Sequence, residues 1–213
     1  VKMPWATKVP AILNMFLTGQ AGGSAVCDIM FGDVNPSGKL SETYPLALED
    51  NSSFNYFPGT PVSVEYREGI YVGYKYYDTA NMEVAFPFGF GLSYTTFEYS
   101  DIKVSADKIK DTDTLTVTLK VKNTGAYDGA EVVQLYVQEN NPTVLRPKKE
   151  LKAFKKVHLE AGKHTTVEFE LKHSDLAYWN DKTHAWEVNK GTYTLHIGNS
   201  SANISQTLTV EAL

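Results

Sequence analysis

Between Thr114 and Gly125 the chain reads TLTVTLKVKNTG, and Leu115, Val117, Leu119 and Val121 fall at every second position. A period of two puts those four side chains on one face of a strand, with the polar residues on the other. The same alternation recurs in EVVQLYVQ, where Val133, Leu135 and Val137 share a face. Further strands are predicted in ELKAFKKVHL (Glu150 to Leu159), TTVEFEL (Thr165 to Leu171), GTYTLHIGNSS (Gly191 to Ser201) and QTLTVEA near the end. Turn signals separate them at intervals of about ten residues, the rhythm of a two-sheet sandwich.

The first part of the chain is patterned differently. VPAILNMF (Val9 to Phe16) is an apolar run without alternation, which predicts a strand buried on both faces. SAVCDIMF (Ser24 to Phe31) predicts a helix packing one face on a sheet, with Ser24 as its N-cap and Cys27 as a small core residue. DVNPSGKL then stops the helix, since Asn-Pro and Ser-Gly form turns. Strand, turn and helix together are the tail end of an α/β domain.

The glycines of GQAGGSAVCDIMFGDVNPSGKL (Gly19 to Leu40) raise the question of a phosphate loop. A P-loop needs four residues between its first glycine and Gly-Lys, then Ser or Thr. Here five residues separate Gly32 from Gly38, and Leu40 follows Lys39. Gly19, Gly22 and Gly23 do not have the dinucleotide G-x-G-x-x-G spacing either. The stretch is therefore a packing and turn element.

Composition narrows the function classes. The 213 residues are 42% hydrophobic and 21% charged, with net charge −5, which favours neither nucleic acid nor an anionic membrane as partner. No apolar run reaches the roughly 18 residues of a membrane helix. The opening VKMPWATKVP has no signal-peptide pattern and does not start with Met, so the chain is expected to begin partway through something larger. A single cysteine excludes an internal disulfide. Asn51, Asn199 and Asn203 head glycosylation sequons, which matter only in a eukaryotic secretory pathway.

Between these parts, residues 49–98 are rich in Tyr, Phe, Gly and Pro with little periodicity. Their aromatics suit either stacking on sugar rings or bonding two domains, and Pro87, Gly89 and Gly91 favour the second, a rigid connector. The predicted division is 1–48 for the α/β piece, 49–98 for the connector and 99–213 for the sandwich.

Candidate chemistry is sparse. Glycoside hydrolysis needs two carboxylates across the scissile bond. Asp33, Glu42, Glu65, Glu68 and Asp78 are available, but nothing in the sequence pairs any two of them. Glu65 and Glu68 flank Arg67, an ordinary ion pair, and Asp33 opens an Asx-turn before Pro36. His158, His164, His173, His184 and His196 lack helix-spaced metal pairing, and there is no G-x-S-x-G elbow. The sequence thus yields no catalytic, cofactor-binding or metal residue and no cofactor.

Several motifs in order carry a resemblance. MPW, then VPAILNMFLTGQAGGSAVCDIMFGDVNPSGKLSETYP, resembles the end of the α/β-sandwich domain of family 3 glycoside hydrolases, the β-glucosidase group. EYREGIYVGYKYYD and FPFGFGLSYTTFEYS are similar to the connector of that family. KNTGAYDGAEVVQLYV, RPKKELKAFKKVHLEAG and DLAYWNDKTHAWEVNKGTYTLHIGNSS are similar to its fibronectin type III-like domain, and the lack of an antibody-type Cys…Trp…Cys core agrees. Departures are small: Ser41 stands where the family often has Pro, and Ala153 where it has Gly.

The resemblance implies a mixed fold, a C-terminal piece of an α/β-sandwich domain followed by an all-β, immunoglobulin-like sandwich. It also implies that the partners are the remaining domains of the same enzyme, above all a catalytic barrel, with a β-glucoside as substrate. The family's nucleophile is an Asp on that barrel, and its acid/base Glu lies earlier in the α/β domain. Neither matches a position here, so no catalytic residue is carried over, and this chain alone is expected to be inactive. In some members the order is permuted, which leaves open the side on which the barrel lies. A free-standing carbohydrate- or protein-binding module and a scaffold for a homo-oligomer are the competing classes. Against both, one strand and one helix cannot close an α/β core and would leave an apolar patch exposed.

Overall fold

The computed structural model describes residues 3–213. Its first part holds helix α1 (Gly22–Phe31), a short pair of strands β1 (Tyr44–Pro45) and β2 (Val84–Phe86), and helix α2 (Tyr74–Ala80). The sandwich follows with β3 (Phe97–Val104), β4 (Lys108–Ile109), β5 (Thr114–Asn123), β6 (Gly129–Glu139), β7 (Glu150–Leu159) and β8 (His164–Lys172). A hairpin of β9 (Tyr178–Asn180) and β10 (Ala185–Glu187) precedes β11 (Gly191–Gly198) and β12 (Ile204–Ala212).

Two sheets face each other, a larger one in the order β4-β12-β11-β6-β7 and a smaller one in the order β3-β5-β8. The core between them is built from the alternating residues. Leu115, Val117, Leu119 and Val121 of β5 are buried, as are Val133, Leu135 and Val137 of β6, with Val167, Phe169 and Leu171 of β8. Leu195 and Ile197 of β11 and Val210 of β12 complete it. Each such side chain contributes roughly 1.5–3 kcal/mol by leaving water. Strand β3 breaks its pairing with β5 between Ser100 and Lys103, where Asp101 takes φ +53°. A short polar side chain tolerates that left-handed geometry better than most.

Strand β6 is unusual in being buried along nearly its whole length. Its second face is not solvent-exposed: Gln134 and Tyr136 lie beneath the segment that joins the two parts of the chain. The sandwich therefore has two interfaces, its own core and this outer one.

The first part departs from its sequence pattern. Val9–Phe16 forms no strand, and Ile12, Leu13 and Phe16 are exposed. A strand is a shared ladder, and among the described residues no segment pairs with this one. Helix α1 starts at Gly22 with Ala21 at the N-cap, so Ser24 is not the cap. It sits in the first turn, where its hydroxyl donates to the Ala21 carbonyl at 2.9 Å. Cys27 is exposed rather than buried, because no described residue of α1 is buried at all. Gly32 ends the helix in the left-handed region at φ +85°, a conformation glycine reaches without strain. The helix α2 was not apparent from the sequence, since its Tyr-rich stretch has modest helix propensity. It is held by packing, with Tyr77 buried.

Candidate functional site

Three places on the molecule bring chemistry together: the joint between its two parts, an uncovered apolar face, and a cleft beside the β9–β10 hairpin.

The joint begins at the NPSGKL turn. Asn35 donates from Nδ2 to the Asp128 carbonyl at 2.8 Å, and its Oδ1 accepts from the Ser93 hydroxyl at 2.9 Å and the Tyr94 N–H at 2.8 Å. Asn35, and not the exposed Asp33, is thus the organising residue of the turn. Lys39 reaches across to Glu131 at 3.0 Å and donates to the Gly91 carbonyl at 2.9 Å, with both charged side chains almost fully buried. The backbone of Leu40 pairs with Gly89 and Phe90, at 2.8 Å in both directions.

Gln134 receives this assembly. Its Nε2 donates to the carbonyls of Gly89, at 3.1 Å, and Asn199, at 2.7 Å, while the Tyr136 hydroxyl donates to its Oε1 at 2.5 Å. Gly89 lies so close that a Cβ there would meet the Gln134 amide, and its φ of +79° is a second reason for glycine. Tyr74 of α2 stacks on Phe88 with centroids 4.7 Å apart and meets Tyr136 edge-on at 5.8 Å. The hydroxyl oxygen of Tyr74 accepts the Leu151 N–H at 2.8 Å.

Charges complete the joint. Asp78 of α2 pairs with Lys149 at 2.7 Å, and Lys75 with Glu150 at 3.5 Å. Burial pushes the Asp78 carboxyl up, against the pull of Lys149. Burial also acts to raise Glu150, but Lys152, Arg146 and Lys75 outweigh it and hold that carboxyl below its usual range. Arg146 bridges Glu139 and Glu150, each at 2.8 Å, and donates to the Leu176 carbonyl at 3.0 Å. Removing one partner from a buried pair costs about 3–5 kcal/mol, because it leaves the other charge uncompensated, so the paired residues of this network depend on one another.

The apolar face belongs to the first part of the chain. Ile12, Phe16, Leu17, Met30 and Phe31 are exposed, Leu17 completely at 101%. Exposed apolar side chains continue through Phe57, Val62 and Tyr66. Apolar side chains exposed in such number are what a surface meant to be covered presents.

Of the candidate carboxylates, Glu68 lines a cavity of about 340 Å³ with Arg67, Tyr71 and Tyr76, and Glu65 pairs with Arg67. Asp78 is engaged in the joint, while Glu42 and Asp33 stay exposed. Among the described residues no group of three or more His, Cys, Asp or Glu is placed to hold a metal. Burial lowers the pKa of His196, assisted by Lys149 and Lys148, and its ring faces Gln138 at 3.0 Å. The sequence reading missed Asn35, Lys39, Gln134 and Arg146. Only Gly89 gave a signal, as a glycine among aromatics.

Comparisons with known proteins agree with this fold. Residues 1–94 match the glycosyl hydrolase family 3 C-terminal domain, and residues 131–201 match the fibronectin type III-like domain. The chain is 50% identical over 204 residues to thermostable beta-glucosidase B of Acetivibrio thermocellus, covering 96% of the chain and 27% of that protein. It is 44% identical over 207 residues to an exo-alpha-(1->6)-L-arabinopyranosidase of Bifidobacterium breve, covering 97% and 27%. The crystal structure of a GH3 beta-glucosidase from Bifidobacterium adolescentis superposes with a TM-score of 0.93 at 44% identity, over 98% of the chain and 31% of that structure. The chain thus spans between a quarter and a third of the length of these three relatives.

Proposed function

Since the chain belongs to glycosyl hydrolase family 3, we propose that it works as the C-terminal part of a retaining β-glucosidase, supporting a catalytic barrel that lies outside these 213 residues. Residues 1–48 complete the α/β domain, residues 49–98 connect, and residues 99–213 form the sandwich. The substrate is a terminal β-linked glucoside.

The observation that carries this reading is the uncovered apolar face of residues 9–34. Its exposed side chains are matched to a docking surface supplied by the rest of the enzyme. A free-standing carbohydrate- or protein-binding module would leave that face in water. The joint supports the reading too: buried ion pairs and stacked aromatics hold the sandwich firmly to the part that docks, as a scaffold requires.

A retaining mechanism uses a nucleophile and an acid/base about 5–5.5 Å apart. We assign neither to this chain. The test is nitrophenol release from an aryl β-glucoside, with the aryl α-L-arabinopyranoside as a second substrate because one relative carries that name. The chain alone is expected to release none. Co-expression with the complementary barrel and α/β segment of a family member is expected to give turnover. Turnover by the purified chain alone, abolished by changing Glu65 or Glu68, would place the chemistry in the middle region and overturn the proposal.

A further inference from the structure

We propose that the β9–β10 hairpin and the cleft at its foot form a binding site for a neutral, β-linked glucose chain. Trp179 and Trp186 are register partners, so their side chains leave the hairpin on one face. Their rings meet edge to face at 72°, with centroids 5.7 Å apart. That contact stabilises a short hairpin, but it engages one ring face and one ring edge and leaves further ring surface outward. Trp179 is 50% and Trp186 69% exposed. Packing of the hairpin alone does not account for so much open indole surface.

Trp186 is also a wall of a cleft of about 500 Å³, within the range of small-ligand sites. Asp111, His173, Glu187 and Val188 line the same cleft, and neither Lys nor Arg does. An aromatic wall beside hydrogen-bonding groups suits a pyranose. In β-linked glucose the ring substituents are equatorial, so both ring faces present C–H groups to an indole while the hydroxyls point outward to polar partners. The two carboxylates disfavour phosphates and acidic sugars.

The site is fixed in place rather than mobile on its loop. Glu187 accepts from Asn180 Nδ2 at 2.7 Å, from the Tyr178 hydroxyl at 3.4 Å and from the Thr183 hydroxyl. A carboxylate has about four acceptor positions, so capacity for a sugar hydroxyl remains. Arg146, locked between Glu139 and Glu150, holds the carbonyl of Leu176 just before the hairpin and lies over the Tyr178 ring at 5.7 Å. Asp111 is nearly free in solvent and stands 3.4 Å from His173 Nδ1. A site organised before binding loses less entropy when the ligand arrives.

The choice of β-linked glucose rests on the proposed function, but the test needs no turnover, so an inactive enzyme would leave it standing. The intact chain is run in native gels containing mixed-linkage β-glucan or polygalacturonate, and cellopentaose is titrated against tryptophan fluorescence. β-Glucan is expected to retard the chain and polygalacturonate not to. Trp186→Ala is expected to weaken binding roughly tenfold, the loss of one good contact, with Trp5→Ala unchanged as control. If Trp186→Ala melts early, Asp111→Ala decides, because so exposed a side chain is not needed for folding. It is expected to weaken cellopentaose several-fold. Failure of β-glucan to retard the wild-type chain overturns the proposal, as does wild-type affinity in Asp111→Ala together with wild-type affinity in a folded Trp186 variant. Wild-type affinity in Asp111→Ala alone, where Trp186→Ala does not fold, overturns it as well.

Discussion

Single residues carry the joint because several have no tolerable substitute. Gly89 is fixed by its φ of +79° and by Gln134 lying against it. Buried Lys39 depends on Glu131 for a counter-charge. His196 gives a prediction with a definite sign. Burial is the main cause of its lowered pKa, and Lys149 and Lys148 add to it, so the folded chain binds its proton less readily than the unfolded chain at the ordinary 6.5. Above that pH neither state is protonated and His196 adds no slope. As pH falls below it, the unfolded state takes up the proton first and stability drops. Urea unfolding of the wild type from pH 7.5 to 5.5 should show this loss, and His196→Gln should flatten it. An unchanged slope in the variant would mean that other groups account for the pH dependence.

Among the elements, the sandwich stands apart from the rest in how its stability is built. Its strands cover one another, with Leu115, Val133 and Leu195 meeting in a single core. A segment of residues 95–213 retains that core and the Thr95–Asn123 hydrogen bond of 2.6 Å. It is expected to give a β-type circular dichroism spectrum and a cooperative melt, and a helical or unfolded spectrum would refute this. The same contrast explains what the sequence revealed. The strand from Thr114 is legible because alternation is local and the partner strands lie in the same chain. Val9–Phe16 forms no strand here because an apolar run states only that something covers it, and no described segment pairs with it. Two-residue strands such as β1 and β4 leave no periodicity to read. The joint was hidden for another reason: Asn35 meets Asp128, and Gln134 meets Gly89 and Asn199, across distances in sequence that no local pattern spans. The Trp pair was in view within DLAYWNDKTHAWEVNKG, but only the register of the hairpin shows that the two side chains are neighbours.

For the whole molecule, the uncovered face and the joint impose opposite demands that one arrangement meets. The sandwich carries its own core, whereas residues 9–34 leave apolar side chains uncovered, and the joint ties the two together. A change on the uncovered face should therefore be mild in the chain alone and costly in the assembled enzyme. Ile12 is the place to look, since it is 41% exposed in the centre of the apolar run. Ile12→Asp in the isolated chain gives up only partial packing and leaves the new carboxylate within reach of water, so its melting curve should fall by no more than about 1 kcal/mol from wild type. In the assembled enzyme the same carboxylate is shut into an apolar interface without a counter-charge, which costs several kcal/mol, on the order of 3–5. Ile12→Leu keeps the apolar surface and should behave as wild type in both settings. The readouts are the melt of each isolated variant and the yield of active complex after co-expression with the barrel segment. A loss of about 3 kcal/mol or more in the isolated Ile12→Asp chain would show that this face is already packed internally. Full yield of active complex with Ile12→Asp would show that the enzyme docks elsewhere, and the apolar face would then lose its place in the proposed function.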